Sequence, residues 1–146
     1  MIYTPVTKKA MQIAFDAHKN QVDKGKAPYV FHPFTVADKM EDELTCAAAL
    51  LHDVIEDTDI TADMLFEMGI PSDVLELVKT LTRGEGEDYF DYIERIRKNP
   101  HATKVKIADL MHNSNLSRLE NITEADIKRA EKYKKTIAIL KAESGS

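Results

Sequence analysis

A chain of 146 residues, 43% hydrophobic and 31% charged, is long enough for one packed core, cramped for two, and too apolar to be disordered. Its formal net charge of -5 argues against a nucleic-acid polymer as partner, because tracking phosphates needs a basic face. The one cysteine, Cys46, excludes an intrachain disulfide framework, and no apolar run approaches a membrane span, so a cytoplasmic protein with no membrane partner is expected.

Thr4 followed by Pro5 is a helix start, since a hydroxyl caps free amides and proline fits the first helical position. Val6, Ala10, Met11, Ile13, Ala14 and Ala17 continue that helix to about His18. Residues 19–31, with Gly25 and Pro28, read as a loop, and Pro33 opens a helix through Val36 and Met40. The longest apolar helix is predicted over residues 43–57. Thr61 caps a short helix that Gly69 ends, and Ser72 caps another through Leu81. Arg83-Gly84-Glu85-Gly86 is a second loop. Tyr89, Tyr92, Ile93 and Ile96 then mark a helix that Pro100 terminates, and helices over 102–113 and 124–141 complete the chain. No segment alternates with period two and no internal repeat is present, so the class is all-α, one compact helical bundle. Residues 1–142 are expected to form the domain and 143–146 a loose tail.

The stretch Leu50-Leu51-His52-Asp53-Val54-Ile55-Glu56-Asp57 sets four ionisable residues into a core-like helix, where unpaired charges are costly. At about 100° per residue, His52, Asp53, Glu56 and Asp57 fall within an arc of roughly 140°. Three carboxylates on one face repel each other, and a divalent cation would reverse the sign; the competing reading is a solvated helix end. Phe31-His32-Pro33 adds a histidine whose backbone proline restrains. Val105-Lys106-Ile107-Ala108-Asp109-Leu110-Met111-His112-Asn113 places Asp109 and Asn113 on one helical stripe. His112 sits off that stripe and reads as a hydrogen-bonded core residue. Two neutral imidazoles and two carboxylates suit manganese, iron or zinc better than calcium.

The order of these motifs, His-Pro, then His-Asp with Glu-Asp three and four residues after the histidine, then Val-Lys-Ile-Ala-Asp-Leu-Met-His-Asn, resembles the HD hydrolase domain of RelA/SpoT alarmone enzymes, and most of all the free-standing small alarmone hydrolases. The resemblance covers residues 8 to about 120. It implies a helical bundle with a metal site in its core, in which His32, His52, Asp53 and Asp109 bind a divalent metal, usually manganese. It implies further that Glu56 and Asp57 handle the attacking water and that Asn113 helps place the substrate's ribose end. The reaction it implies removes pyrophosphate from the 3′ position of guanosine tetra- or pentaphosphate, a small phosphorylated nucleotide. The family's synthetase domain has no counterpart in so short a chain, so hydrolysis without synthesis is expected.

The chain departs from the resemblance in one place. Where alarmone hydrolases often carry an arginine that stacks on guanine, it has Val22-Asp23-Lys24-Gly25-Lys26, and lysine lacks the planar fork. Lys24, Lys26, Arg83 and Lys106 are candidate phosphate contacts, and Tyr29 either borders the pocket or packs. Two other functions compete: a phosphatase for another nucleotide such as NADPH, and a sensor that binds without turnover. A sensor would be expected to have lost an acid or a ligand, and here both acids and all four ligands remain.

Overall fold

Capping chemistry sets where the first helix begins. In the computed structural model, which describes residues 1–144, the Thr4 hydroxyl accepts from Thr7 N at 3.1 Å while Thr7 Oγ1 accepts from Thr4 N at 2.8 Å. The reciprocal pair fixes the start of α1 (Pro5–His18). The following loop contains an isolated antiparallel bridge between Val22 and Pro28, and there is no strand among the described residues. α2 (Phe31–Asp38) starts two residues before Pro33, so His32 lies inside its first turn. Proline is tolerated there because first-turn amides have no intrahelical acceptor.

α3 (Glu43–Leu51) is capped by Asp42, whose side chain accepts from Thr45 N at 2.7 Å. Thr45 through Leu51 are all buried, and the run Ala47-Ala48-Ala49 lets neighbouring helices approach closely around this central element. The single helix expected over 43–57 is in fact broken. α3 ends at Leu51, His52 and Asp53 form a turn, and α4 (Val54–Asp57) follows. The cause is local: His52 Nδ1 lies 2.5 Å from Ala49 O, a carbonyl that an unbroken helix would offer to the Asp53 N–H.

α5 (Ala62–Glu67) is capped by Thr61, and Gly69 supplies the positive φ of 94° that turns the chain out of it. α6 (Ser72–Leu81) corrects the sequence reading, because Pro71 occupies the cap position and Ser72 is the first helical residue, making no side-chain cap. α7 (Tyr89–Arg97) is capped by Asp88, and α8 (Pro100–Asn113) by Asn99, so Pro100 opens this helix two residues earlier than expected. A 3-10 turn, Leu116–Arg118, leads to α9 (Glu124–Ser144), which runs three residues past the expected end at 141. Of the expected tail, residues 145 and 146 lie outside the described residues.

α3 packs against α1, α2, α6 and α8, while α9 lies across α8 and α7. Leu50, Leu51, Leu65, Ile70, Ile96, Leu110 and Leu140 are fully buried and join these helices into one core. No helix among the described residues is long and apolar enough to cross a membrane.

Candidate metal centre

Three elements deliver four donors to one point in this core. α2 brings His32, the turn after α3 brings His52 and Asp53, and α8 brings Asp109. Their ligand atoms all lie within 4.8 Å of one another. His32 Nε2 is 2.7 Å from Asp109 Oδ1 and 3.8 Å from Asp53 Oδ2, while His52 Nε2 is 3.0 Å from Asp53 Oδ2 and 3.3 Å from Asp109 Oδ1. His32, His52 and Asp109 are each 4% exposed, so water does little to screen their charges.

A surrounding set of hydrogen bonds orients each donor. His52 Nδ1–H donates to Ala49 O, which leaves Nε2 as the ring's lone-pair face toward the cluster. His32 Nδ1 lies 2.7 Å from His112 Nδ1 with the rings stacked at 4.9 Å. Burial, with His32 adding to it, pulls the His112 imidazole down to about 4, so it stays neutral and accepts from His32 Nδ1–H. Tyr29 Oη donates to Asp53 Oδ2 at 2.5 Å. Asp109 receives Lys106 Nζ on Oδ2 at 3.0 Å and Asn113 Nδ2 on Oδ1 at 3.2 Å.

The donor set fits a divalent cation. Burial alone would push the Asp109 carboxyl up, but Lys106 and the two imidazoles hold it well below the usual carboxylate range. Burial likewise opposes charge on His52, yet the Asp53 and Asp109 carboxylates override it and raise its pKa. The cluster therefore attracts positive charge strongly. Two nitrogen and two oxygen donors, each braced by an outer partner, suit a borderline metal rather than an all-oxygen calcium site.

A family model described as HD domain matches residues 10–140. The chain belongs to the HD-domain family. This HD domain is 32% identical over 139 residues to a guanosine-3′,5′-bis(diphosphate) 3′-pyrophosphohydrolase of Aquifex aeolicus, across 87% of this chain and 19% of that protein. It is 29% identical over 148 residues to a probable GTP pyrophosphokinase of Mycobacterium leprae, across 92% of this chain and 18% of that one. The chain thus spans less than a fifth of the length of these two curated relatives. Among solved structures, a metazoan ortholog of SpoT that hydrolyzes ppGpp superposes with a TM-score of 0.76 at 25% identity, covering 99% of this chain and 94% of that one. The resemblance to RelA/SpoT enzymes holds.

Around the cluster, the HD domain gathers some of the expected residues and leaves others aside. Glu56 is exposed on α4 and accepts from Arg83 N at 2.5 Å through Oε1. Partial desolvation, with Asp53 adding to it, raises the pKa of both Glu56 and Asp57. Lys24, Tyr29 and Asn113 line a cleft of about 330 Å³ that opens beside His32. Lys26 is not part of it; it sits at φ 65° beside a smaller hollow bordered by Glu120 and Asn121. Lys106 is turned inward onto Asp109, and the Arg83 side chain donates to Glu87 O at 2.8 Å within its own loop.

Sequence reasoning missed part of the cleft. Arg118, Arg129 and Tyr133 line it too, and Arg118 pairs with Asp23 at 2.6 Å. Asp23 is the residue just before Lys24, so a guanidinium does reach this loop, from ninety-five residues away. His18 is also near: fully buried, it meets the Tyr29 ring edge-on at 5.0 Å, and its Nδ1 lies 2.9 Å from Gln21 Oε1. A buried histidine at a helix end carries no local sign of this, whereas the spacing of Arg129 and Tyr133, four apart on α9, marks them as sharing one face.

Proposed function

We propose that this HD domain is a metal-dependent phosphohydrolase that removes the 3′-pyrophosphate of guanosine tetra- or pentaphosphate, with manganese as the preferred metal and the cytoplasm as its setting. The observation that carries the reading is the convergence of His32, His52, Asp53 and Asp109 at one buried point. The names of the relatives supply the substrate. A cleft of about 330 Å³ and a net charge of -5 favour a small nucleotide over a nucleic-acid polymer.

His32, His52, Asp53 and Asp109 hold the metal, and His112, Ala49 O, Tyr29, Asn113 and Lys106 keep those four aimed. A divalent ion bound there supplies Lewis-acid polarisation of water and of phosphoryl oxygen. Glu56 and Asp57 take and return the proton of the attacking water. Their raised pKa values bring them nearer to neutral pH, where a proton carrier works best. Lys24 and Asn113, on the cleft wall beside His32, hold the nucleoside end and its phosphates.

The test is turnover of guanosine tetraphosphate beside NADPH with added manganese, with metal content measured on the same sample. Release of pyrophosphate from the alarmone, dependent on metal, is expected. Sharply better turnover of NADPH would replace the substrate and leave the metal chemistry standing. Tight nucleotide binding with no turnover of any substrate would make the domain a sensor.

A further inference from the structure

The acid proposed to move the proton sits on a poor support. α4 is a single turn of four residues, too short to hold a side chain direction by itself, and Glu56 on it is exposed. Among the described residues, the hydrogen bond that meets the Glu56 carboxylate comes from one backbone amide, Arg83 N, in the loop between α6 and α7. That loop has little stiffness of its own, since it contains Gly84 and Gly86, the latter at φ 74°.

The loop is instead held by Arg95, which reaches back from α7. Its Nη1 donates to Thr80 O at 2.7 Å and its Nη2 to Thr82 O at 3.1 Å, at the end of α6. Its Nε and Nη2 grip the Glu87 carboxylate at 3.1 and 3.0 Å. Glu87 passes the hold inward: its Oε1 also accepts from Gly84 N at 2.9 Å, and its carbonyl accepts from the Arg83 side chain at 2.8 Å. The guanidinium lies over the Tyr92 ring at 5.5 Å, and Tyr92 Oη itself donates to Leu81 O at 2.5 Å. One planar group thus ties together both ends of the loop that presents Arg83 N. A lone surface ion pair has little hold, but a bidentate fork with two further carbonyl partners has a defined geometry.

We propose that Arg95 is a positioning residue for Glu56: through Glu87 and the loop of residues 82–88 it places the Arg83 N–H that orients the Glu56 carboxylate. The inference rests on the phosphohydrolase reading above. It requires the fork and not merely the charge, because an ammonium reaches one partner where the guanidinium serves three.

Arg95→Lys and Glu87→Gln test it, each made in the wild-type chain and in a Glu56→Gln background. In the wild-type chain both are expected to lower kcat by about tenfold, with KM within about threefold and metal content unchanged. In the Glu56→Gln background neither is expected to lower kcat further, because a residue that acts through Glu56 has nothing left to act on. Melting temperatures separate a loss of fold from a loss of position, and Glu87→Gln, which keeps an acceptor for Gly84 N, decides the matter if Arg95→Lys fails to fold. Wild-type kcat in both variants overturns the inference, whatever their melting temperatures. So does a full additional loss in the Glu56→Gln background. Absence of any turnover by the wild-type chain would instead remove the phosphohydrolase reading, and this inference with it.

Discussion

His52 is bound from both sides of its ring, Nδ1 to the Ala49 carbonyl and Nε2 to the carboxylates of Asp53 and Asp109. The first bond ends α3 and the second faces the cluster, so the break in the helix and the aim of a ligand are one event. Asp53 and Glu56, three residues apart just after that break, are expected to fail differently. Asp53→Ala removes a donor, and the metal should be lost with it; at metal concentrations a hundred times the dissociation constant, the stabilisation forfeited is about 2.7 kcal/mol. Glu56→Gln preserves size and should keep the metal while turnover falls by about 10² to 10⁴. Metal analysis beside kinetics reads both. Wild-type turnover by a metal-loaded Glu56→Gln would transfer the role to Asp57.

His112 gives a pH dependence of definite sign. Its imidazole is held at about 4 against an ordinary 6.5, first by burial and then by His32. Between those values the unfolded chain binds a proton that the folded one refuses, so this residue's contribution to stability is full above 6.5 and is lost as the pH falls toward 4. Melting curves of metal-stripped protein are expected to decline across that window, and less steeply in His112→Asn. Equal slopes in the two proteins would mean that His112 is not held neutral by its surroundings.

At the scale of elements, the sequence was legible wherever a signal is local. The Thr4 and Thr61 caps, the Gly69 turn and the apolar stripes of α1, α7 and α8 depend on residues a few positions apart. Ser72 misled because a proline before it holds the extended backbone a cap requires, leaving the serine to begin the helix. The break at His52 was not legible, since a histidine carries no helix-stop signal and its ring is turned onto the Ala49 carbonyl in a site that Asp109 completes from α8. Of the candidate site, the four convergent donors were legible as ordered motifs. Arg118, Arg129 and Tyr133 were not, because only the folded path of the 3-10 turn and α9 makes them part of a cleft.

The loop between α1 and α2 carries its own prediction. A Cβ at Gly25 would meet the Arg118 backbone carbonyl oxygen at 2.5 Å, so Gly25→Ala must push the loop and the 3-10 turn apart. Lys24 moves with them. Both Gly25→Ala and Lys24→Ala are therefore expected to raise KM severalfold with little change in kcat, the mark of lost uniform binding. Unchanged KM in both would take this loop out of substrate recognition.

Across the whole molecule, the buried centre is built by helices from the first three quarters of the chain, while α9 crosses α8 and α7 from outside. Lys106, itself half-buried, offsets part of the acidity at that centre with Nζ on Asp109 at 3.0 Å, so the fold tolerates two clustered carboxylates. The cleft, by contrast, is shared by distant parts of the sequence. Lys24 and Tyr29 line it from the segment after α1, Arg129 and Tyr133 from α9.

A molecule filling that cleft would therefore staple the loop after α1 to the first half of α9, where the Arg118–Asp23 pair ties this loop only to the 3-10 turn that precedes that helix. Amide hydrogen exchange should register this as protection far from the chemistry. With nucleotide present, the amides around residues 126–134 are expected to exchange more slowly, while those of α5, which packs on α6 and contributes no residue to the cleft, keep their rate. The same experiment with metal alone should leave α9 unchanged, because none of the four converging donors belongs to it.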